Sequence, residues 1–80
     1  MYTVYILKCV DHTYYVGWTN DLNARVSRHQ KGMVKYTSTR LPVTLVHYSV
    51  FTDKYKALEF EKYLKSGSGR AFAIKRLYSF

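Results

Sequence analysis

Residues 2–10, YTVYILKCV, and residues 14–18, YYVGW, are two β-branched and aromatic runs separated only by Asp11-His12-Thr13. Such runs favour strands, and so short a gap forces them together as an antiparallel hairpin. Cross-strand partners share a face of the sheet and neighbours alternate, so the turn length decides whether Tyr5 and Tyr15 meet. A two-residue turn at Asp11-His12 sets Tyr5 opposite Trp18 and Tyr15 opposite Lys8, on opposite faces. A three-residue turn at 11–13 pairs Cys9 with Tyr15 and Leu7 with Gly17, and both tyrosines then share one face. Asp-His lacks the glycine that a two-residue turn prefers, which favours the odd length.

The rest of the chain follows in short elements. Thr19-Asn20-Asp21 offers two capping candidates and an acidic first turn, and a helix should run from about Asn20 to Lys31 and stop at Gly32. Residues 33–42 form a polar, basic loop closed by Pro42. Val43 to Phe51 is a third strand. Thr52 or Asp53 caps a second helix running to about Lys65, Ser66-Gly67-Ser68-Gly69 breaks it, and a short last helix runs from Arg70 to about Leu77, with Phe72, Ile74 and Leu77 packing it as core. The order ββαβαα, with no linker or repeat, predicts a single α+β domain over 1–80: a small three-stranded antiparallel sheet with helices packed on it.

Charge narrows the partners. Thirteen Lys and Arg face five Asp and Glu among 80 residues, a net charge of +8. That balance suits a polyanion, nucleic acid before an anionic membrane. Cys9 is the only cysteine, so no intrachain disulfide forms and a reducing compartment fits. No apolar run approaches the roughly 18 residues of a membrane span and no secretory signal is visible, so the expected location is cytoplasmic.

Three polar residues sit where the helical period predicts apolar neighbours. Glu61 lies within the stripe Ala57, Leu58, Phe60 and Leu64 of the second helix. An inward carboxylate must be paired with a cation, either an inward arginine or a metal ion. On the first helix, Arg25 and His29 stand four apart along one edge of the stripe Leu22, Val26 and Met33, while Arg28 and Lys31 point to solvent. Arg25 is either a partner for Glu61 or a phosphate ligand; His29 is either a satisfied semi-buried histidine or a proton-transfer group. Together a phenol, an arginine fork, a histidine and one carboxylate are the parts of metal-assisted phosphodiester hydrolysis. No G-x-S-x-G, P-loop or dinucleotide glycine pattern is present.

These residues, with the strings Val-Tyr-Ile-Leu-Lys-Cys, Tyr-Tyr-Val-Gly-Trp-Thr-Asn-Asp-Leu and Glu-Lys-Tyr-Leu-Lys-Ser-Gly-Ser-Gly-Arg, resemble the GIY-YIG nuclease superfamily over nearly the whole chain, in its compact stand-alone bacterial form. The resemblance implies Tyr5 and Tyr15 in the site, one of them activating water, and Gly17 allowing close approach. It further implies Arg25 on the scissile phosphate, His29 in proton transfer, and Glu61 as the single ligand of Mg²⁺, with Mn²⁺ as a substitute. The chain departs from the superfamily pattern at Thr3, which replaces the first glycine, and at Trp18, where DNA-repair members often carry lysine. It also has no Asn after position 23, where many members carry one in the last helical region.

Lys35, Tyr36 and Arg40 in the loop, joined by Arg70, suit a substrate rim, since basic side chains contact phosphates and Tyr36 can stack on an unpaired base; the other reading is a solvated loop. The function that follows is a Mg²⁺-dependent endonuclease on DNA. Branched, damaged or single-stranded forms are the expected targets, because eighty residues leave no room for an elaborate sequence-reading surface. The alternatives are a non-catalytic nucleic-acid-binding module using the same basic cleft, with RNA also open as partner, and a subunit that needs a protein partner.

Overall fold

The computed structural model describes residues 1–78. β1 (Tyr2–Lys8), β2 (Tyr14–Thr19) and β3 (Thr44–Phe51) form one antiparallel sheet in the order β2-β1-β3. The central strand alternates its side chains into two cores. Val4 and Ile6 face one, packed with Ala57, Leu64 and Ala73 of α3 (Lys54–Leu64) and α4 (Gly67–Arg76). Tyr5 and Leu7 face the other, packed with Leu22 and Val26 of α1 (Leu22–Gln30). Val4, Tyr5, Ile6 and Leu7 are all fully buried, so β1 reads as a continuous apolar run. Helices on both faces of a three-stranded sheet give the α+β architecture in the order expected. A single-turn helix, α2 (Lys35–Ser38), is added within the predicted loop.

The hairpin has the odd-length turn, one position earlier than expected. Cys9 N–H donates to Thr13 C=O at 2.8 Å and His12 N–H to Cys9 C=O at 3.0 Å, so the turn is Val10-Asp11-His12 rather than 11–13. His12 takes the left-handed conformation, φ 67°, at the position where such a loop needs it. Asp11 Oδ1 accepts from the backbone and hydroxyl of Thr13, holding the chain there. The register becomes Tyr5 opposite Gly17 and Leu7 opposite Tyr15. Both tyrosines are on one face, and Gly17 rather than Thr19 lies across from Tyr5.

Helix boundaries follow their caps. Asp21 accepts from Ala24 N–H and Asp53 from Tyr55 N–H, which fixes the starts of α1 and α3. Ser66 caps α4 by accepting from Gly69 N–H, so Gly67-Ser68-Gly69 begins that helix instead of breaking the chain. Three expected core residues are corrected. Met33 is 59% exposed because α1 ends at Gln30, ahead of it. Phe72 and Ile74 turn outward because α4 approaches α3 along its smallest side chain, buried Ala73. Among the described residues no helix is long and apolar enough to cross a membrane.

Candidate active site

The site grows from the face that Tyr5 shares with Tyr15. Their ring centroids are 6.2 Å apart, and the Tyr5 ring crosses over Gly17 so closely that a Cβ there would lie 2.6 Å from Tyr5 Oη. Glycine is thus required at 17 by the tyrosine opposite it. Tyr5 Oη meets His29 Nε2 at 2.9 Å, and His29 Nδ1 meets Thr37 Oγ1 at 2.7 Å. The Thr37 hydroxyl donates to Val34 C=O at 3.4 Å. A hydroxyl has one proton to give, so Thr37 accepts from Nδ1–H, and Nε2 is left to accept from the Tyr5 phenol. His29 and Thr37 are both fully buried, and α1 and α2 each supply one of them.

Electrostatics agree with that direction. Burial holds His29 below its ordinary value, and the charges of Arg25 and Arg28 lower it further. The imidazole is therefore neutral near pH 7 and able to accept a proton. Burial pushes the Tyr5 phenol up to about 12; the Tyr15 hydroxyl adds to the rise, and the nearby Arg25 guanidinium opposes it. Tyr5 therefore stays protonated and donating. Because the unfolded chain takes up a proton near 6.5 and folded His29 does not, stability falls as pH drops from about 6.5 through the depressed value. Urea midpoints at pH 7 and pH 5 should show this fall, and His29→Gln should show less of it.

Tyr15 is half-buried and carries the site outward. Its ring lies 4.8 Å from that of His29 and 5.5 Å from that of Tyr36, each measured between centroids. Tyr15 and Tyr36 line an open pocket of about 630 Å³ whose far side is made by Lys65 and Arg70. The structure thus brings Tyr5, Tyr15, Arg25 and His29 together, with Gly17 beneath and Tyr36 at the mouth.

The remaining predicted residues are placed differently. Arg40 is engaged within the fold: it pairs with Asp11 at 2.9 Å, donates through Nε to Tyr36 C=O, and lies 4.2 Å over the Tyr36 ring. Lys35 is exposed at the start of α2. Glu61 lies on α3, in the layer across the sheet from Tyr5. Its carboxylate is 19% exposed and pairs with Lys65, one turn on, at 3.4 Å rather than with Arg25. Lys65 lines the pocket, so Glu61 stands one ion pair away from the cavity that Tyr15 opens into. Trp18 packs on the far face against Tyr2, with Lys54 over its ring. Thr37, placed in a rim loop by its sequence surroundings, instead orients His29; nothing in the sequence sets it apart from Ser38 and Thr39 beside it.

Comparison with known proteins decides the relationship. The family model described as the GIY-YIG catalytic domain matches residues 1–75. The chain belongs to the GIY-YIG family. It is 45% identical over 65 residues to a UPF0213 protein of Lacticaseibacillus paracasei, covering 80% of this chain and 73% of that one. A UPF0213 protein of Clostridium perfringens is 48% identical over 63 residues, 78% and 68% of the two chains. The solution NMR structure of a UPF0213 protein from Bacillus halodurans superposes with a TM-score of 0.60 at 34% identity, covering 94% of this chain and 84% of that one. A GIY-YIG domain is a nuclease domain, and its substrate is nucleic acid.

The GIY-YIG strings are here Thr3-Val4-Tyr5 and Tyr15-Val16-Gly17. Their last and first residues are the two tyrosines of the site, and the final glycine is the one on which the Tyr5 ring rests.

Proposed function

We propose that this GIY-YIG protein is a magnesium-dependent endonuclease that cuts DNA at structural irregularities rather than at a fixed sequence. One observation carries the reading: a buried, directional chain from Tyr5 through His29 to Thr37 opens through Tyr15 onto a pocket bearing Lys65 and Arg70.

In this reading Arg25 binds a non-bridging oxygen of the scissile phosphate, and its fork suits that geometry. Tyr15, the more accessible of the two tyrosines, holds the attacking water. The water's proton passes into the phenol pair, and neutral His29 is the acceptor behind Tyr5. Water oxygen bonds to phosphorus, the bond from phosphorus to the 3′ oxygen breaks, and that oxygen takes a proton from solvent to leave as a hydroxyl. Among the described residues no group of three or more His, Cys, Asp or Glu side chains is placed to hold a metal ion. A single carboxylate suits Mg²⁺, which keeps waters and shares its shell with substrate phosphate. Glu61, partly exposed at the pocket's Lys65 side, fits that role. Bound there, the ion would stabilise charge developing on the phosphate and the leaving oxygen.

The test uses end-labelled single-stranded, duplex and branched DNA with Mg²⁺, Mn²⁺ or EDTA. Metal-dependent cutting that favours the branched or single-stranded forms is expected. Binding of all three with no cutting under any metal would favour a non-catalytic binding module instead. A pH profile adds a check: the acid limb should fall below the ordinary histidine range, because His29 must be unprotonated to accept.

A further inference from the structure

The pocket beside Tyr15 is larger than hydrolysis of a phosphate alone requires. It straddles the free edge of β2, with Tyr15 on one side of that strand and Tyr14 and Val16 on the other. Three features set its chemistry. Its walls are rings: Tyr36 packs beside Tyr15, and Tyr14 stacks flat on Tyr78 at 3.8 Å with an interplanar angle of 1°. Its charged lining is cationic, Lys65 and Arg70, with no acid among the lining residues. Its volume of about 630 Å³ falls in the range of sites for nucleotide-sized ligands.

We propose that this pocket receives one unpaired nucleotide of the DNA substrate, its base against the tyrosine rings and its phosphate on Arg70 and Lys65. The proposal rests on the endonuclease reading above and names what that site recognises. A base inside a duplex cannot reach the tyrosine walls without leaving its stack, and leaving costs least where it is already unpaired. Tyrosine rings bind any base by its π-face, so the pocket selects for exposure of a base and not for its identity. The cations contribute affinity without sequence, by replacing counterions on the phosphate. Selection for irregular DNA thus arises in a chain this small from a single pocket, and it places the unpaired nucleotide next to the phosphate that Tyr15 faces.

Recognition is separable from cutting. In EDTA, where no metal-dependent cleavage occurs, the protein is titrated into a duplex and into the same duplex with one bulged nucleotide, a fluorescent aminopurine at the bulge. The bulged duplex should bind about tenfold more tightly, and aminopurine fluorescence should be quenched on binding as the base stacks on tyrosine. Tyr36→Ala should remove most of that preference, and Tyr36→Phe, which keeps the ring, should retain it. Arg70→Gln should weaken both duplexes and reduce the slope of log affinity against log salt by about one. Equal affinity for the two duplexes would overturn the proposal, as would a preference unchanged in Tyr36→Ala. If magnesium supports no cutting while the bulge preference holds, the endonuclease reading fails and the pocket assignment stands. Cutting without any bulge preference gives the reverse.

Discussion

Gly17→Ala is expected to lower cleavage by about a hundredfold or more while the protein still folds. An added Cβ would lie 2.6 Å from Tyr5 Oη, 2.8 Å from Tyr5 Cζ and 3.0 Å from Tyr15 Cε1. Tyr5 is fully buried and its hydroxyl is held by His29, so the ring cannot yield without breaking that bond. His29 Nε2 then loses its donor inside the core, and Tyr15 is displaced with the ring beside it. Overpacking of this kind costs about 2 kcal/mol, which a urea titration will show alongside single-turnover rates. A folded Gly17→Ala protein with full activity would mean that the Tyr5–His29 geometry is dispensable.

Gly69→Ala should act on the fold itself, and more severely. Its Cβ would fall 1.7 Å from the carbonyl oxygen of Tyr63, 2.4 Å from the carbonyl carbon and 2.8 Å from Leu64 Cα. All three are backbone atoms, so α4 must move as a unit against α3. That movement pulls Ala73 from the core it shares with Leu64 and Val4. The expected loss is about 3 kcal/mol, a large part of the stability of a domain this size, and on the order of 15 °C in Tm. Gly67→Ala is the control: nothing lies within 4 Å of its Cβ, so it should be neutral or slightly stabilising. Equal melting temperatures for the two variants would contradict the α3–α4 packing described.

Much of this arrangement was legible in the sequence because period-two alternation and turn length are local. The odd-length turn brought Tyr5 and Tyr15 to one face, and Asp53 marked the start of α3, whereas α1 starts at Leu22 rather than Asn20 because Asp21 is its cap and not part of its first turn. The turn was displaced by one position because His12, with no glycine nearby, adopts the left-handed conformation. The α4 start was obscured by two glycines that local propensity reads as breakers; Gly69 is there because α3 leaves no room for a side chain. In the site, Arg25 and His29 were visible from helical spacing. Thr37 was not, because only the tertiary fold of residues 33–42 carries it beneath His29. Glu61 was expected within its stripe, paired inward with an arginine or a metal ion; its side chain is instead 19% exposed and pairs with Lys65 one turn on.

The most direct measurement is the single-turnover rate of cleavage of a labelled branched DNA in Mg²⁺, for wild type beside Tyr15→Phe and Glu61→Gln. Both substitutions lie at partly exposed positions and keep side-chain shape, so both variants should fold with unchanged denaturation midpoints. The prediction is metal-dependent cutting by wild type and a loss of about a hundredfold or more in each variant, with DNA affinity largely retained. Cutting that persists at the wild-type rate in both variants, or a wild type that binds and never cuts, would contradict it.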